Sequence, residues 1–111
     1  LTLLTGPDRP GAVVANTDYA ALAALAAAQY AGLRVPDDLL VAGLGNSREA
    51  ADSTPSLTSA GPVDFFARQA ALILDAAAAR PGPGRLHPFS WHLHERASTA
   101  RTAPHPREES A

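Results

Sequence analysis

The side chains with chemical potential are few and scattered. Asp37 and Asp38 stand side by side, and adjacent carboxyls are the raw material of general acid–base work, one protonated while the other is ionised. They follow Val35-Pro36, however, and are expected to turn the chain into the next strand rather than to catalyse. His92 and His94 flank Leu93 and would share one strand face, as two metal ligands would. No third ligand stands close by, so two exposed imidazoles are expected and no metal site is assigned. Gly43-Leu44-Gly45 lacks the third glycine and the helix start that a dinucleotide fingerprint requires. The chain has no cysteine, hence no thiol nucleophile, disulfide or cysteine–zinc site. No serine, histidine and acid form a recognisable triad. The reading is a protein that is not an enzyme and needs no cofactor. What remains are short polar residues where apolar runs end: Asn16, Thr17 and Asp18, all good helix caps, and Asn46, a loop residue that tolerates left-handed geometry.

Composition limits the frame that can position them. The 111 residues make at most one small domain, and the 46% hydrophobic content overstates the core because much of it is alanine. Net charge is −2, with all nine basic residues arginine, a balance that argues against this segment gripping nucleic acid by itself, which takes a clustered basic surface. The longest apolar stretch, Ala20 to Ala28, is too short to span a bilayer. The opening LTLLTGPDRP lacks the basic flank and apolar run of a signal peptide, and without an initiator methionine the chain reads as an interior or C-terminal piece of something longer.

Gly11 to Ala15 is a short apolar run that fits a buried strand, and Leu39 to Leu44 is a second, unalternated as in parallel sheets. Between them an alanine-rich helix carries Leu22 and Leu25 three apart on one face, with Asp18 as the candidate cap. Gly32-Leu33 reads as its C-cap and Pro36 blocks continuation. Arg48 to Ala51 suits a single helical turn, and Thr54 to Ser59 a turn into an extended segment. Pro62 is expected at the first position of a second helix running to Arg80, with Asp64 in its first turn and a stripe of Phe66, Ala70, Ile73 and Ala77. Phe65 and Phe66 read as core and flank of that helix. Pro81-Gly82-Pro83-Gly84 ends it, Phe89 to Leu93 suits a last strand, and residues 97–111 read as a disordered tail. This is α/β alternation with too few strands to close a layered domain. The fold class expected is a partial Rossmann-like parallel sheet that is incomplete in this chain, with the missing strands upstream and no stable folding in isolation.

Those same residues carry a likeness. Ala12-Val13-Val14-Ala15 with Thr17-Asp18, then Gly32-Leu33-Arg34-Val35-Pro36-Asp37-Asp38, Val41-Ala42-Gly43, Thr54-Pro55-Ser56-Leu57-Thr58-Ser59 and Arg96-Ala97-Ser98-Thr99 occur in an order that resembles the effector-binding core of the LacI/GalR family. The resemblance implies a periplasmic-binding-protein-like (type I) fold in a bacterial, cytoplasmic transcription regulator. Residues 1–96 would be the C-terminal portion of the effector-binding domain, with the helix over 62–80 crossing to the other subdomain. Its partners would be a small sugar-like effector held between subdomains, a second copy in a homodimer, and operator DNA reached only through an N-terminal helix-turn-helix missing here. No membrane is implied.

The effector contacts that the resemblance implies are Thr17, just before the capped helix, Val63 at the family's cleft-lining position, and Asn46 as the candidate after the second strand. A hydroxyl at the C-terminal edge of a parallel strand does point into the crevice where open α/β sheets bind ligands. Glycine stands at Gly45, where the family usually has an aspartate that takes two effector hydroxyls, so Asn46 would have to substitute or the ligand must differ. The segment 57–62 is one residue short of the family pattern, which bears on the register of Val63. The homodimer contact falls on Leu22 and Leu25 and on the loop at Asp52 and Ser53, where an alanine-rich helix would permit close approach of a partner. Two rivals stand beside this reading: a periplasmic sugar-binding protein of the same architecture, separable by a cleaved export signal, and a truncated remnant without function.

Overall fold

The computed structural model describes residues 2–101. Strand β1, Ala12–Val14, lies parallel to β2, Leu40–Leu44, with Ala12 opposite Leu40 and Val14 opposite Ala42. The connection between them is helix α2, Asp18–Tyr30, so the expected strand–helix–strand unit is present. The end of α2 closes through two backbone hydrogen bonds, Leu33 N–H to the Ala28 carbonyl at 2.9 Å and Gly32 N–H to the Gln29 carbonyl at 3.1 Å. Gly32 sits at φ +75°, which a side chain would resist. Beyond β2 come the short helix α3, Arg48–Asp52, and strand β3, Thr58–Gly61, which pairs in parallel on the other side of β2. Strand β4, His92–His94, runs antiparallel to β3, giving a four-stranded sheet in the order β1-β2-β3-β4. The architecture is mixed α/β with an open, mostly parallel sheet, the class the alternation of runs predicts.

The core lies between α2 and the sheet. Ala21, Leu25 and Ala28, at spacings of four and three, form the buried face of α2 against Leu39, Val41, Ala50 and Leu57. A short helix that the sequence did not announce, α1 over Thr2–Thr5, adds Leu4 to the same cluster.

Three expectations need correction. The second long helix, α4, spans Phe65–Ala78 rather than beginning at Pro62. Pro62 is fully buried ahead of it, Asp64 occupies its N-cap position at φ +52° without a side-chain cap bond, and Arg80 lies beyond its end. The last strand is His92–His94 rather than Phe89 to Leu93. The tail does not begin at Ala97, because Ala97–Thr99 forms a 3-10 turn with Ser98 fully buried. Composition misled there: this turn is held by polar contacts, not apolar burial. The rest of the expected tail, 102–111, lies outside the described residues.

Ser98 stitches that turn to the sheet. Its hydroxyl donates to the Val41 carbonyl at 2.6 Å and accepts from the Thr58 N–H at 2.8 Å, bridging β2 and β3. Thr58 Oγ1 in turn accepts from the Arg96 N–H at 2.8 Å and lies 2.6 Å from Thr99 Oγ1. Ser98→Ala leaves one buried backbone donor and one acceptor without that partner. It should cost about 2 kcal/mol, read as a lower denaturation midpoint with an unchanged slope in urea.

Helix α4 has no buried residue. Its stripe is uncovered, with Phe66 56% and Ile73 61% exposed. The radius of gyration is 18.5 Å, against about 13 Å for a compact chain of 100 residues.

Candidate functional site

The C-terminal ends of β1 and β2 open onto a groove of about 1020 Å³. Asn16 and Thr17 contribute from the end of β1, Leu44 and Gly45 from β2, and the first turn of α3 supplies Arg48 and Glu49. An aromatic wall of Phe65 and Phe66 at the start of α4 together with Trp91 completes the lining, and Tyr19 adds a ring from the first turn of α2. Phe65 is central to that wall, its ring centroid 5.4 Å from Phe66, 5.3 Å from Phe89 and 6.2 Å from Trp91. The guanidinium of Arg68 sits 4.7 Å over the Phe89 ring. Helical spacing had marked Phe65 and Phe66 as core and flank, but α4 departs from the sheet and leaves both rings to the groove. Such a site offers ring faces for stacking and a rim of hydrogen-bonding groups, a combination that holds small ring-shaped molecules.

Thr17 caps α2. It has extended backbone, and its Oγ1 accepts from the Ala20 N–H at 3.0 Å. The cap is therefore Thr17 and not Asp18, a correction with a clear cause: Asp18 is the first helical residue and its carboxylate turns inward. Only 4% exposed, it accepts from the Ser59 hydroxyl at 2.6 Å and from the Ser47 N–H at 2.7 Å. A carboxylate at a helix start also suits the helix dipole. Asp18, itself part of the groove lining, thus ties α2, β3 and the loop after β2 together. The close approach requires Gly43, where a Cβ would lie 2.5 Å from Asp18 Oδ1 and 3.0 Å from its Cα.

Asn46 and Val63 do not line the groove. Asn46 is left-handed at φ +49°, and both ends of its amide are engaged, Nδ2 donating to the Pro62 carbonyl at 3.0 Å and Oδ1 accepting from Arg96 at 2.7 Å. Val63 is 54% exposed in the connection to α4. The sequence alone did not reveal the part played by Arg96, although the Arg-x-Ser-Thr pattern marked it. At Gly45, φ is +119° and a Cβ would meet Phe66 Cζ at 3.6 Å, so the Phe66 ring forms the wall beside the position where the family usually has an aspartate.

Of the residues assigned to a dimer contact, Leu25 is in the core of its own chain and is withdrawn. Two alanines of α2 serve the same sheet: Ala21 and Ala28 are fully buried, and a Cβ at Gly43 would lie 3.1 Å from Ala21 Cβ, whereas Ala20, Ala23 and Ala26 are exposed. Leu22 packs beside that core and lines the groove. Asp52 is exposed, and the Ser53 hydroxyl donates to the Ala50 and Pro55 carbonyls at 3.1 and 2.8 Å.

The paired acids also resolve. Asp38 accepts from the Arg34 side chain at 3.2 Å and from its backbone N–H at 2.8 Å, and these bonds hold its carboxyl below the usual range. A depressed folded pKa adds stability above the unfolded value and loses it as pH falls through the folded one. The pair is open to water, so the contribution is small and screened by salt. In an NMR titration Asp38 should ionise below the usual carboxylate range, and Arg34→Ala, which removes the guanidinium but keeps the backbone donor, should raise its midpoint part of the way back. His94 Nε2 lies 3.0 Å from the Gly61 carbonyl, as a donor to it. Among the described residues no group of three or more acidic or histidine side chains is placed to hold a metal.

Residues 2–99 match the periplasmic binding protein-like domain. The chain belongs to that family. Within it the chain is a portion of a LacI/GalR-type effector-binding domain. A curated relative, the HTH-type transcriptional repressor PurR of Escherichia coli, is 46% identical over 57 residues, 51% of this chain and 17% of the relative. A LacI-type transcription regulator from Bifidobacterium animalis subsp. lactis superposes with a TM-score of 0.67 at 38% identity, covering 84% of this chain and 34% of that one. A PurR family transcriptional regulator from Vibrio parahaemolyticus does so at 0.64 and 29%, covering 91% and 37%. The chain therefore spans about a third of the length of these solved relatives. Among the described residues no helix is long and apolar enough to cross a membrane.

Proposed function

We propose that this chain is the effector-sensing and dimerising portion of a LacI/GalR-type DNA-binding transcriptional regulator. The effector is a small sugar-like molecule seated in the groove, one face of its ring against Phe66 and Trp91, with Thr17 at the strand-end side. The observation that carries this reading is the placement of an aromatic-walled groove at the carboxyl ends of parallel strands, where open α/β sheets bind ligands. Asn16, Arg48 and Glu49 supply the polar rim that hydroxyls require. Asp52 and Ser53, beside the exposed side of α3, belong to the contact with a second copy, to which Leu22 contributes at its margin. Operator DNA is reached through a helix-turn-helix segment of the whole protein, which works in the cytoplasm. Binding that favours one cleft geometry shifts how the two DNA-binding segments are presented.

The test is a thermal-shift screen of the intact protein against monosaccharides, disaccharides and nucleobases. A ligand at a hundred times its Kd adds about 2.7 kcal/mol of stability, a readily visible shift. Phe66→Ala, at an exposed position, should abolish that shift while leaving the unliganded melting temperature nearly unchanged. A shift indifferent to Phe66→Ala, or none from any compound, would overturn the reading. Sedimentation of the intact protein tests the dimer.

A further inference from the structure

Asn46 and Arg96 are separated by 50 positions and meet through a single hydrogen bond, Arg96 Nη2 to Asn46 Oδ1 at 2.7 Å. Neither lines the groove, so their part in it is indirect. The other terminal nitrogen of Arg96 donates to the Leu57 carbonyl at 2.8 Å, and its backbone N–H to Thr58 Oγ1 at 2.8 Å. The guanidinium fork is thereby fixed at both tips, and a bond from a charged donor is stronger than one between neutral groups. Asn46 is held equally firmly. Besides Arg96, its backbone N–H donates to Ser59 Oγ at 2.9 Å and its Nδ2 to the Pro62 carbonyl at 3.0 Å. The Ser59 hydroxyl continues to Asp18, a residue of the groove lining.

Three places meet at this pair: the loop 45–47 that forms the groove floor, the segment from Pro62 that enters α4, and the segment from Arg96 that leaves β4. We propose that Asn46 and Arg96 are positioning residues that make the groove floor and both segments leaving the sheet move as one body, so that occupation of the groove is felt at both exits. This rests on the reading of the groove as the effector site. Its test uses no ligand, so the two can fail separately.

Hydrogen exchange of the intact protein, resolved by peptide, provides the measurement. Arg96→Met keeps the unbranched stem of the side chain, though not its full reach, and removes every side-chain donor while the backbone bond to Thr58 remains. It should speed exchange over 45–47 and over 68–70, the first hydrogen-bonded amides of α4, by about tenfold while peptides covering Val13 and Leu25 stay unchanged. Asn46→Asp retains an acceptor for Arg96 and loses the donor to Pro62, so only 68–70 should loosen. Arg96→Lys, with its charge and one donor direction restored, should fall between Arg96→Met and the parent. A uniform rise across the sheet would mean that the pair is merely a stitch in the fold, and unchanged exchange at 45–47 and 68–70 would mean that it positions nothing. Either result overturns the proposal. If Arg96→Met does not fold, the selective response of Asn46→Asp decides alone.

Discussion

Gly61→Ala should destabilise the protein by about 3 kcal/mol, at the upper end of what overpacking costs. The added Cβ would lie 2.8 Å from the carbonyl carbon of Gly45 and 3.0 Å from both the Cβ and the N of Asn46. These are backbone or backbone-linked atoms, and they are anchored. Gly45 N–H donates to the Ala60 carbonyl at 2.8 Å, and Asn46 N–H donates to Ser59 Oγ at 2.9 Å. Relief therefore requires breaking the join between β3 and the groove floor rather than turning one side chain. Gly61 is not in the left-handed region, so the penalty is steric and not conformational. Gly11→Ala is the control: nothing lies within 4 Å of its Cβ, and loss of unfolded-state freedom should leave it neutral or up to about 1 kcal/mol more stable. Chemical denaturation of the intact protein checks both, and a Gly61→Ala midpoint equal to that of the parent would refute the steric account.

Asp18→Ala should cost a similar amount, about 3 kcal/mol. The loss has two sources. A charge-assisted pair of hydrogen bonds disappears, and the buried Ser59 hydroxyl and the Ser47 N–H lose their acceptor. Asp18→Asn should be milder, because an amide oxygen can still accept from Ser47 while the Ser59 hydroxyl reverses its role. A double-mutant cycle with Ser59→Ala isolates the shared term: the two changes should be less than additive by about 1 kcal/mol. Strict additivity would show that the pair is not coupled. Since Asp18 also holds the loop at Ser47, Asp18→Ala should weaken any ligand that shifts the parent, even though its carboxylate is buried.

Much of the frame was legible because the signals were local. Pro10 and Asn16 bound one apolar run, and Gly32 with Pro36 ends the helix that follows, so β1, α2 and β2 stand where pattern placed them to within a residue or two. Asp18 shows where pattern fails. Asn16, Thr17 and Asp18 are equally good caps by type, and only the presence of Ser59 and Ser47 within reach turns Asp18 inward and leaves the cap to Thr17. Leu25 and Leu22 share a helical face, yet periodicity is silent on whether that face meets a partner or its own sheet. Phe65 and Phe66 fall on an apolar stripe, which says apolar but not covered.

What the sequence determined by itself is the alternation of short runs, the helix ends and the family likeness, because propensity, capping and chain order act over a few residues at a time. What only the tertiary structure decided is which polar groups are consumed in holding the fold. Asn46 is bound by Arg96 and Pro62, Ser98 bridges two strands, and Ala21 of α2 packs over Gly43. Each of these depends on residues distant in sequence arriving within about 3 Å of one another, a distance that no local pattern encodes.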